Sequence, residues 1–130
     1  MNCTPEEFSS FEEHNAVLEA LQPYIDAART GRGAAMRHVW FDHARIVGPK
    51  DGQLVNLDPD SFCKWVDAEG GSPGVKSHVA SIQIAGRAAC ARIEFLGWHG
   101  ARFTDFFVLV KHEGRWRISG KVFDSHSQDE

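Results

Sequence analysis

Residues 103–123, FTDFFVLVKHEGRWRISGKVF, decide the fold. Two strand-like runs, 103–112 and 115–123, flank the turn Glu113-Gly114 and predict a β-hairpin. Because side chains alternate along a strand, the first run has two faces. These faces are Phe103, Asp105, Phe107 and Leu109 on one side and Thr104, Phe106, Val108 and Val110 on the other. Both faces are largely apolar, which is typical of a strand covered on both sides.

Asp105 is the residue in this stretch that needs an explanation. It is a carboxylate between two phenylalanines on a face predicted to be buried. An unpartnered ionised carboxylate is costly to bury, so Asp105 is paired, protonated with a raised pKa, or placed at the wall of a polar-lined cavity. The last two arrangements point to function, and the alternative is an ordinary aspartate at a strand edge beside water.

Length and charge limit the function classes. A chain of 130 residues predicts one domain over 1–130, with the ends 1–9 and 125–130 frayed. The 14 basic and 18 acidic residues give a net charge of −4 without a long basic run, which disfavours nucleic-acid binding. The N-terminus lacks the apolar run of a secretory signal, and no segment is apolar enough to span a membrane. We therefore expect a cytoplasmic protein that binds neither nucleic acid nor membranes.

The cysteines and histidines give no clear metal or disulfide pattern. Cys3, Cys63 and Cys90 are odd in number and widely spaced, so we expect ordinary reduced thiols. His38 and Asp42 would share a helical face, but no third ligand lies nearby in the sequence. We predict no metal and no cofactor.

The first half of the chain has helical patterning. Ser10 and Glu13 form a capping-box pattern that predicts the start of a first helix, which continues to Ala28. Pro23 removes a backbone donor inside that helix, so we expect a kink near Leu21 or a restart there.

Shorter elements follow the first helix. The pattern predicts a second helix from Ala34 to about Asp42 and then a strand over 44–47. The turn residues 48–52 close a small hairpin with 53–56. Asp58, followed by a proline, is a typical N-cap and predicts a third helix.

The second half of the chain reads as a meander. Its four strands are predicted over 78–85, 88–98, 103–112 and 115–123. The links between them are of hairpin length, so neighbouring strands are expected to be antiparallel. The predicted fold class is α+β: a cone-shaped α+β barrel in which three N-terminal helices pack on a strongly curved antiparallel sheet. Such a cone leaves room for a small-molecule pocket.

The sequence resembles the nuclear transport factor 2-like superfamily, which includes ketosteroid isomerase, scytalone dehydratase and SnoaL-like polyketide cyclases. The stretches that carry the resemblance are 24–28 with Gly31, 40–46, 103–107 and 114–118. The end of the chain is most similar to the putative lumazine-binding group, where a Thr-Asp-aromatic-Phe strand precedes Gly-x-Trp-x-Ile. The resemblance implies the fold, and this superfamily carries unrelated chemistries on one scaffold.

Comparison with ketosteroid isomerase implies a partial site. Tyr24 and Asp105 fall at the places of the tyrosine and protonated aspartic acid that form the oxyanion hole of that enzyme. The position of its catalytic base is Gly48 here, which has no proton acceptor. The same isomerisation is therefore not expected. Other side chains that could supply a base are His43, His78 and Glu94.

The predicted ligand site combines the polar pair Tyr24 and Asp105 with aromatic walls. The wall candidates are Trp40, Phe62, Trp65, Phe107 and Phe123. Aromatic faces suit a planar ligand, and the polar pair could donate two hydrogen bonds to one carbonyl oxygen. The alternative interpretation is that these aromatics are core residues.

Three functions follow from this site. The first is a small-molecule binding domain for an unidentified planar, carbonyl-bearing or heterocyclic ligand, without assigned catalysis. The second is an isomerase, cyclase or dehydratase that acts on a carbonyl compound with Asp105 as acid or base. The third is a dimeric interaction module without ligand. The resemblance also implies a homodimer through the outer sheet face, where Phe106, Val108 and Val110 would form an apolar interface.

Overall fold

The computed structural model describes residues 5–126, with side chains from residue 10 onward, so Cys3 lies outside the description. The helices are α1 (Pro5–Thr30), a 3-10 helix (Gly33–Val39) and α2 (Pro59–Glu69). The strands are β1 (Trp40–Lys50), β2 (Gln53–Leu57), β3 (Lys76–Ala85), β4 (Ala88–Trp98), β5 (Ala101–His112) and β6 (Arg115–His126). Helices and strands together confirm the α+β class. No helix of this part of the chain is long and apolar enough to cross a membrane.

The strands of residues 5–126 form one six-stranded sheet in the order β2-β1-β6-β5-β4-β3. The hairpins β1–β2, β3–β4, β4–β5 and β5–β6 are antiparallel, as predicted. The prediction of a wholly antiparallel sheet is wrong, because β1 pairs with β6 in parallel. No short turn joins these two strands, so turn residues carry no information about their pairing. The closed cone is also not found: within the described residues β2 and β3 are the free edges of an open sheet.

The prediction for the start of α1 is wrong. The helix begins at Pro5, five residues before the expected cap, so Ser10 lies inside it. Proline suits the first helical turn because its fixed φ and missing N–H cost nothing there. Glu13 instead accepts hydrogen bonds from Lys111 Nζ at 2.7 Å and Trp116 Nε1 at 3.1 Å. The helix passes through Pro23 without restarting.

The second predicted helix is shorter than expected. The 3-10 helix ends at Val39, and β1 begins at Trp40 and extends to Lys50. His38 and Asp42 therefore lie on different elements and do not share a helical face. β6 likewise continues to His126, beyond the predicted end of the strand. The third helix has the predicted cap, because the Asp58 carboxylate accepts a hydrogen bond from the Ser61 amide at 2.7 Å.

The helices cover one face of the sheet. α1 directs its buried side chains, Val17, Leu21, Tyr24, Ala27 and Ala28, toward β3, β4 and β6, and α2 packs on β1. The inner face of β5 is buried as predicted from Phe103 to Leu109. The expectation that its other face is covered is wrong within this single chain, because Phe106 is 53% and Val108 is 54% exposed.

Burial raises the pKa of the Cys63 thiol to about 11, so this cysteine is protonated at neutral pH.

Candidate functional site

Three polar side chains meet in the core between α1 and the sheet. Tyr24 comes from the inner face of α1, Asp105 from the middle of β5 and Lys121 from β6. Tyr24 and Asp105 are fully buried, and Lys121 is only 4% exposed. We call these three residues the buried triad.

Lys121 is a member of the triad that the sequence analysis missed. In the β5–β6 ladder Val108 faces Gly120 while Leu109 faces Ile118, so Ser119 is an extra residue, a β-bulge. The buried residues of β6 are Trp116 and Ile118 before the bulge and Lys121 and Phe123 after it. Regular alternation from Ile118 predicts Lys121 on the outer face, whereas alternation backward from Phe123 predicts it on the inner face. Alternation alone does not select between the two.

Short hydrogen bonds join the buried triad. The Tyr24 hydroxyl donates to Asp105 Oδ2 at 2.6 Å, and Lys121 Nζ donates to the Tyr24 hydroxyl oxygen at 2.6 Å. Lys121 Nζ lies 3.7 Å from Asp105 Oδ2. Asp105 Oδ1 is buried without a hydrogen-bond partner among the described residues. The hydroxyl of Tyr24 therefore links the amine to the carboxyl.

Burial shifts the pKa of all three groups. It raises the pKa of the Asp105 carboxyl, against the opposing effects of the Lys121 charge and the Tyr24 hydrogen bond. It lowers the pKa of the Lys121 ammonium, which the charge of Asp105 opposes. Burial and the charge of Asp105 raise the pKa of Tyr24 well above its ordinary value, so the hydroxyl keeps its proton. The neutral forms of Asp105 and Lys121 are both favoured relative to water.

Aromatic rings surround the amine of Lys121. Nζ lies 4.4 Å from the ring centre of Phe62, 4.8 Å from that of Tyr24, 4.9 Å from that of Phe123 and 5.9 Å from that of Trp98. Ring faces attract a cation, so they offset part of the cost of burying the ammonium.

A cavity of about 460 Å³ lies beside the triad. Its lining is mainly apolar and includes Ile46, Leu54, Val55, Leu57, Phe62, Trp65, Trp98, Ala101, Phe103 and Phe123. The polar lining residues are Lys50, Asn56, Glu69, His99 and Lys121. Of these five polar lining residues, Lys121 is buried and the other four are half-buried or exposed. An apolar cavity of this size with few polar groups is typical of small-molecule sites.

The structure separates the predicted site residues into two groups. Phe62, Trp65 and Phe123 line the cavity. Tyr24, Trp40, Asp105 and Phe107 are buried in the core and do not belong to the lining. Tyr24 and Asp105 reach the cavity through Lys121, to which both are connected. Their assignment as ligand contacts stays a prediction.

Gly48, which the resemblance places at the position of the ketosteroid isomerase base, has no room for a side chain. A Cβ built on Gly48 would lie 2.2 Å from the Phe123 carbonyl oxygen and 2.7 Å from its ring. No side chain fits there without displacement of β6.

The alternative bases also lie away from the cavity. His43 and His78 are exposed, and Glu94 accepts hydrogen bonds from Thr104 and Arg92. Glu94 pairs with Thr104 in the ladder, next to the pair of Ile93 with Asp105, so it projects from the opposite face of the sheet. No group of three metal-ligating side chains occurs in the described part of the chain.

The arrangement can hold and move a proton next to the cavity. A proton on Lys121 can pass to the Tyr24 oxygen while the Tyr24 proton passes to Asp105 Oδ2, since both hydrogen bonds are 2.6 Å long. The transfer converts an ammonium and a carboxylate into a neutral amine and a carboxylic acid. The triad can therefore present either an ammonium or an amine to a molecule in the cavity.

Helices on one face of a six-stranded sheet, with a polar group beside a cavity, define a nuclear transport factor 2-like domain. A solved protein of this class from Shewanella baltica OS155, of unknown function, is 32% identical with a TM-score of 0.86, covering 98% of this chain and 100% of that one. Another of unknown function, from Methylobacillus flagellatus KT, is 32% identical with a TM-score of 0.84, covering 89% of this chain and 94% of that one. The chain belongs to the putative lumazine-binding family, whose model matches residues 12–124.

A curated relative is the aldolase FrzH from a Cladobotryum species. It is 24% identical over 115 residues, which cover 88% of this chain and 92% of FrzH. The similarity thus extends over nearly the whole of both proteins.

Proposed function

We propose that this protein is a small-molecule binding domain whose cavity takes a planar, carbonyl-bearing or heterocyclic ligand. The observation that carries the proposal is the position of Lys121, a buried amine at the wall of an aromatic cavity of about 460 Å³. Flat rings can stack on Phe62 and Trp65, and Lys121 can donate a hydrogen bond to a ligand carbonyl oxygen. The family description supports a pteridine-type ligand.

Calorimetric titration with lumazine, a pteridine dione, tests this proposal. We expect saturable binding that Lys121→Met weakens by about tenfold, which corresponds to one lost hydrogen bond of about 1.4 kcal/mol. Lys50→Met is the matched control, because Lys50 also lines the cavity but is paired with Asp51 at 3.1 Å. Absence of binding for a panel of planar heterocycles and aromatic ketones would count against a binding domain.

A second candidate function is an enzyme acting on a carbonyl compound, such as an isomerase, cyclase or dehydratase. The similarity to an aldolase and the proton path from Lys121 to Asp105 favour it. Asp105 would act as acid or base through Tyr24 and Lys121, because it does not line the cavity. This candidate requires turnover that Asp105→Asn abolishes in a correctly folded variant.

A further inference from the structure

We propose that Lys121 is a nucleophile that forms an imine with an aldehyde or ketone held in the cavity. This inference rests on the proposed function, because it needs the cavity to bind a carbonyl compound. It goes further by assigning a covalent role to one atom, Lys121 Nζ.

The position of the amine carries the proposal. Lys121 lines the cavity, whereas its side chain is only 4% exposed to solvent. The rings of Phe62 and Phe123, which also line the cavity, lie within 5 Å of Nζ at 4.4 and 4.9 Å. A carbonyl compound packed against these rings would therefore have its reactive carbon close to the amine.

The surroundings also favour the reactive form of the amine. Only a neutral amine attacks a carbonyl carbon, and burial lowers the pKa of Lys121. Tyr24 and Asp105 supply a path for the proton that the ammonium must lose. Lys50, at the same cavity, differs in its surroundings, since it is about one third exposed and paired with Asp51.

The step balances with the groups present. Lys121 first gives one proton through Tyr24 to Asp105. Nζ then forms a bond to the carbonyl carbon, the carbonyl π bond opens, and a proton moves from nitrogen to oxygen to give a neutral carbinolamine. Asp105 returns its proton through Tyr24 to the hydroxyl, which leaves as water while the C=N bond forms. The products are a protonated imine, an Asp105 carboxylate and one water molecule.

Reductive trapping tests this step. The intact protein is incubated with benzaldehyde and sodium cyanoborohydride at neutral pH, and the adduct is located by peptide mass spectrometry. Hydride reduces the imine to a secondary amine, so the expected mass gain is that of benzaldehyde less one oxygen atom. We expect Lys121 to be labelled about tenfold faster than Lys50, Lys64, Lys76 or Lys111, because its amine is held beside the bound carbonyl carbon. Labelling of Lys121 no faster than of these lysines overturns the proposal.

Two kinds of variant separate a chemical role from a structural one. Lys121→Arg keeps a positive charge but has no nucleophilic amine, and it should lose the fast labelling, whereas Lys50→Arg should retain it. Tyr24→Phe keeps the ring but interrupts the proton path, and it should slow labelling of Lys121 on the order of a hundredfold at neutral pH. Unchanged labelling in Tyr24→Phe overturns the role of the triad. The adduct is mapped in the wild-type protein, so a folding failure of a variant leaves the test intact.

The result also separates this inference from the proposed function. The carbonyls of lumazine are amide-like and do not form imines, so its titration reports the cavity alone. Lumazine binding without fast labelling of Lys121 refutes the imine and leaves the binding domain standing. Failure of both measurements refutes both.

Discussion

At the scale of single residues, Asp105 determines how the site responds to protons. Its carboxyl is fully buried, one oxygen accepts from Tyr24, and the other has no partner in residues 5–126. The carboxyl therefore loses its hydration in the folded state, and the Tyr24 hydrogen bond and the Lys121 charge offset only part of that loss. Its protonated form is favoured by folding.

The raised pKa of Asp105 has a measurable effect on the stability of the protein. Because folding raises the pKa of Asp105 above its ordinary value of 3.8, the folded protein binds more protons than the unfolded chain between that value and the folded pKa. The contribution of Asp105 to the free energy of unfolding thus falls as pH rises through this window, by up to about 1.4 kcal/mol per pH unit. Asp105→Asn should remove this decrease in the free energy of unfolding with rising pH.

Urea unfolding of both proteins at intervals from about pH 4 upward, through this window, measures the effect. Asp51→Asn is the control, because its side chain is 87% exposed and should leave the pH dependence of the wild type intact. Parallel curves for wild type and Asp105→Asn would show that the carboxyl does not change its pKa on folding.

At the scale of elements, the contact between β1 and β6 leaves no room for a side chain at position 48. Gly48 lies against the backbone and ring of Phe123, with space for hydrogen only. Phe123 in turn lines the cavity beside Lys121. An aspartate at position 48 could not act as a base without moving the strand that carries the lysine.

Gly48→Ala should therefore destabilise the protein by about 2 kcal/mol, as overpacking of a close contact does. Thermal and urea unfolding measure this change. Gly74→Ala is the matched control, because a Cβ there meets no atom within 4 Å, and it should change stability by less than about 0.5 kcal/mol. Equal stability of the two variants would contradict the close packing of Gly48.

The sequence predicts local elements better than their assembly. The strands β3 to β6 are predicted to within three residues at each end, because hydrophobic runs and glycine turns define them. The parallel pairing of β1 with β6 joins residues far apart in the chain, and no local pattern encodes it. Lys121 is missed for a related reason, since an extra residue at Ser119 breaks the alternation on which the prediction depends.

At the scale of the whole molecule, the outer face of the sheet carries apolar side chains that the cavity and the triad do not explain. Its exposed apolar side chains include Leu96, Phe106, Val108, Val110 and Val122. Phe106, Val108 and Val110 alternate along β5 and Val122 pairs with Phe106, so these four residues form one patch. We propose that a second copy of the chain covers this patch, because such exposed patches mark protein interfaces.

Val108→Lys should then convert dimers to monomers, because it places a charge in the middle of an apolar interface. Sedimentation velocity at several protein concentrations measures the subunit number. Phe11→Lys is the control, since Phe11 is 69% exposed on α1 and lies away from the sheet. A Val108→Lys protein that sediments as the wild type does would refute this placement of the interface.

The bulge at Ser119 also bears on how chains of different length are compared. The extra residue, Ser119, lies between two neighbouring pairs of the β5–β6 ladder. These pairs are Leu109 with Ile118 and Val108 with Gly120. A relative that lacked this single residue could keep both ends of β6 in register and still place an amine opposite Phe107. Removal of this one residue would thus restore regular alternation and leave Lys121 on the inner face of the sheet. A sequence alignment with such a relative needs a one-residue gap at Ser119. Without that gap, Lys121 would be aligned with a residue that pairs with a different position of β5.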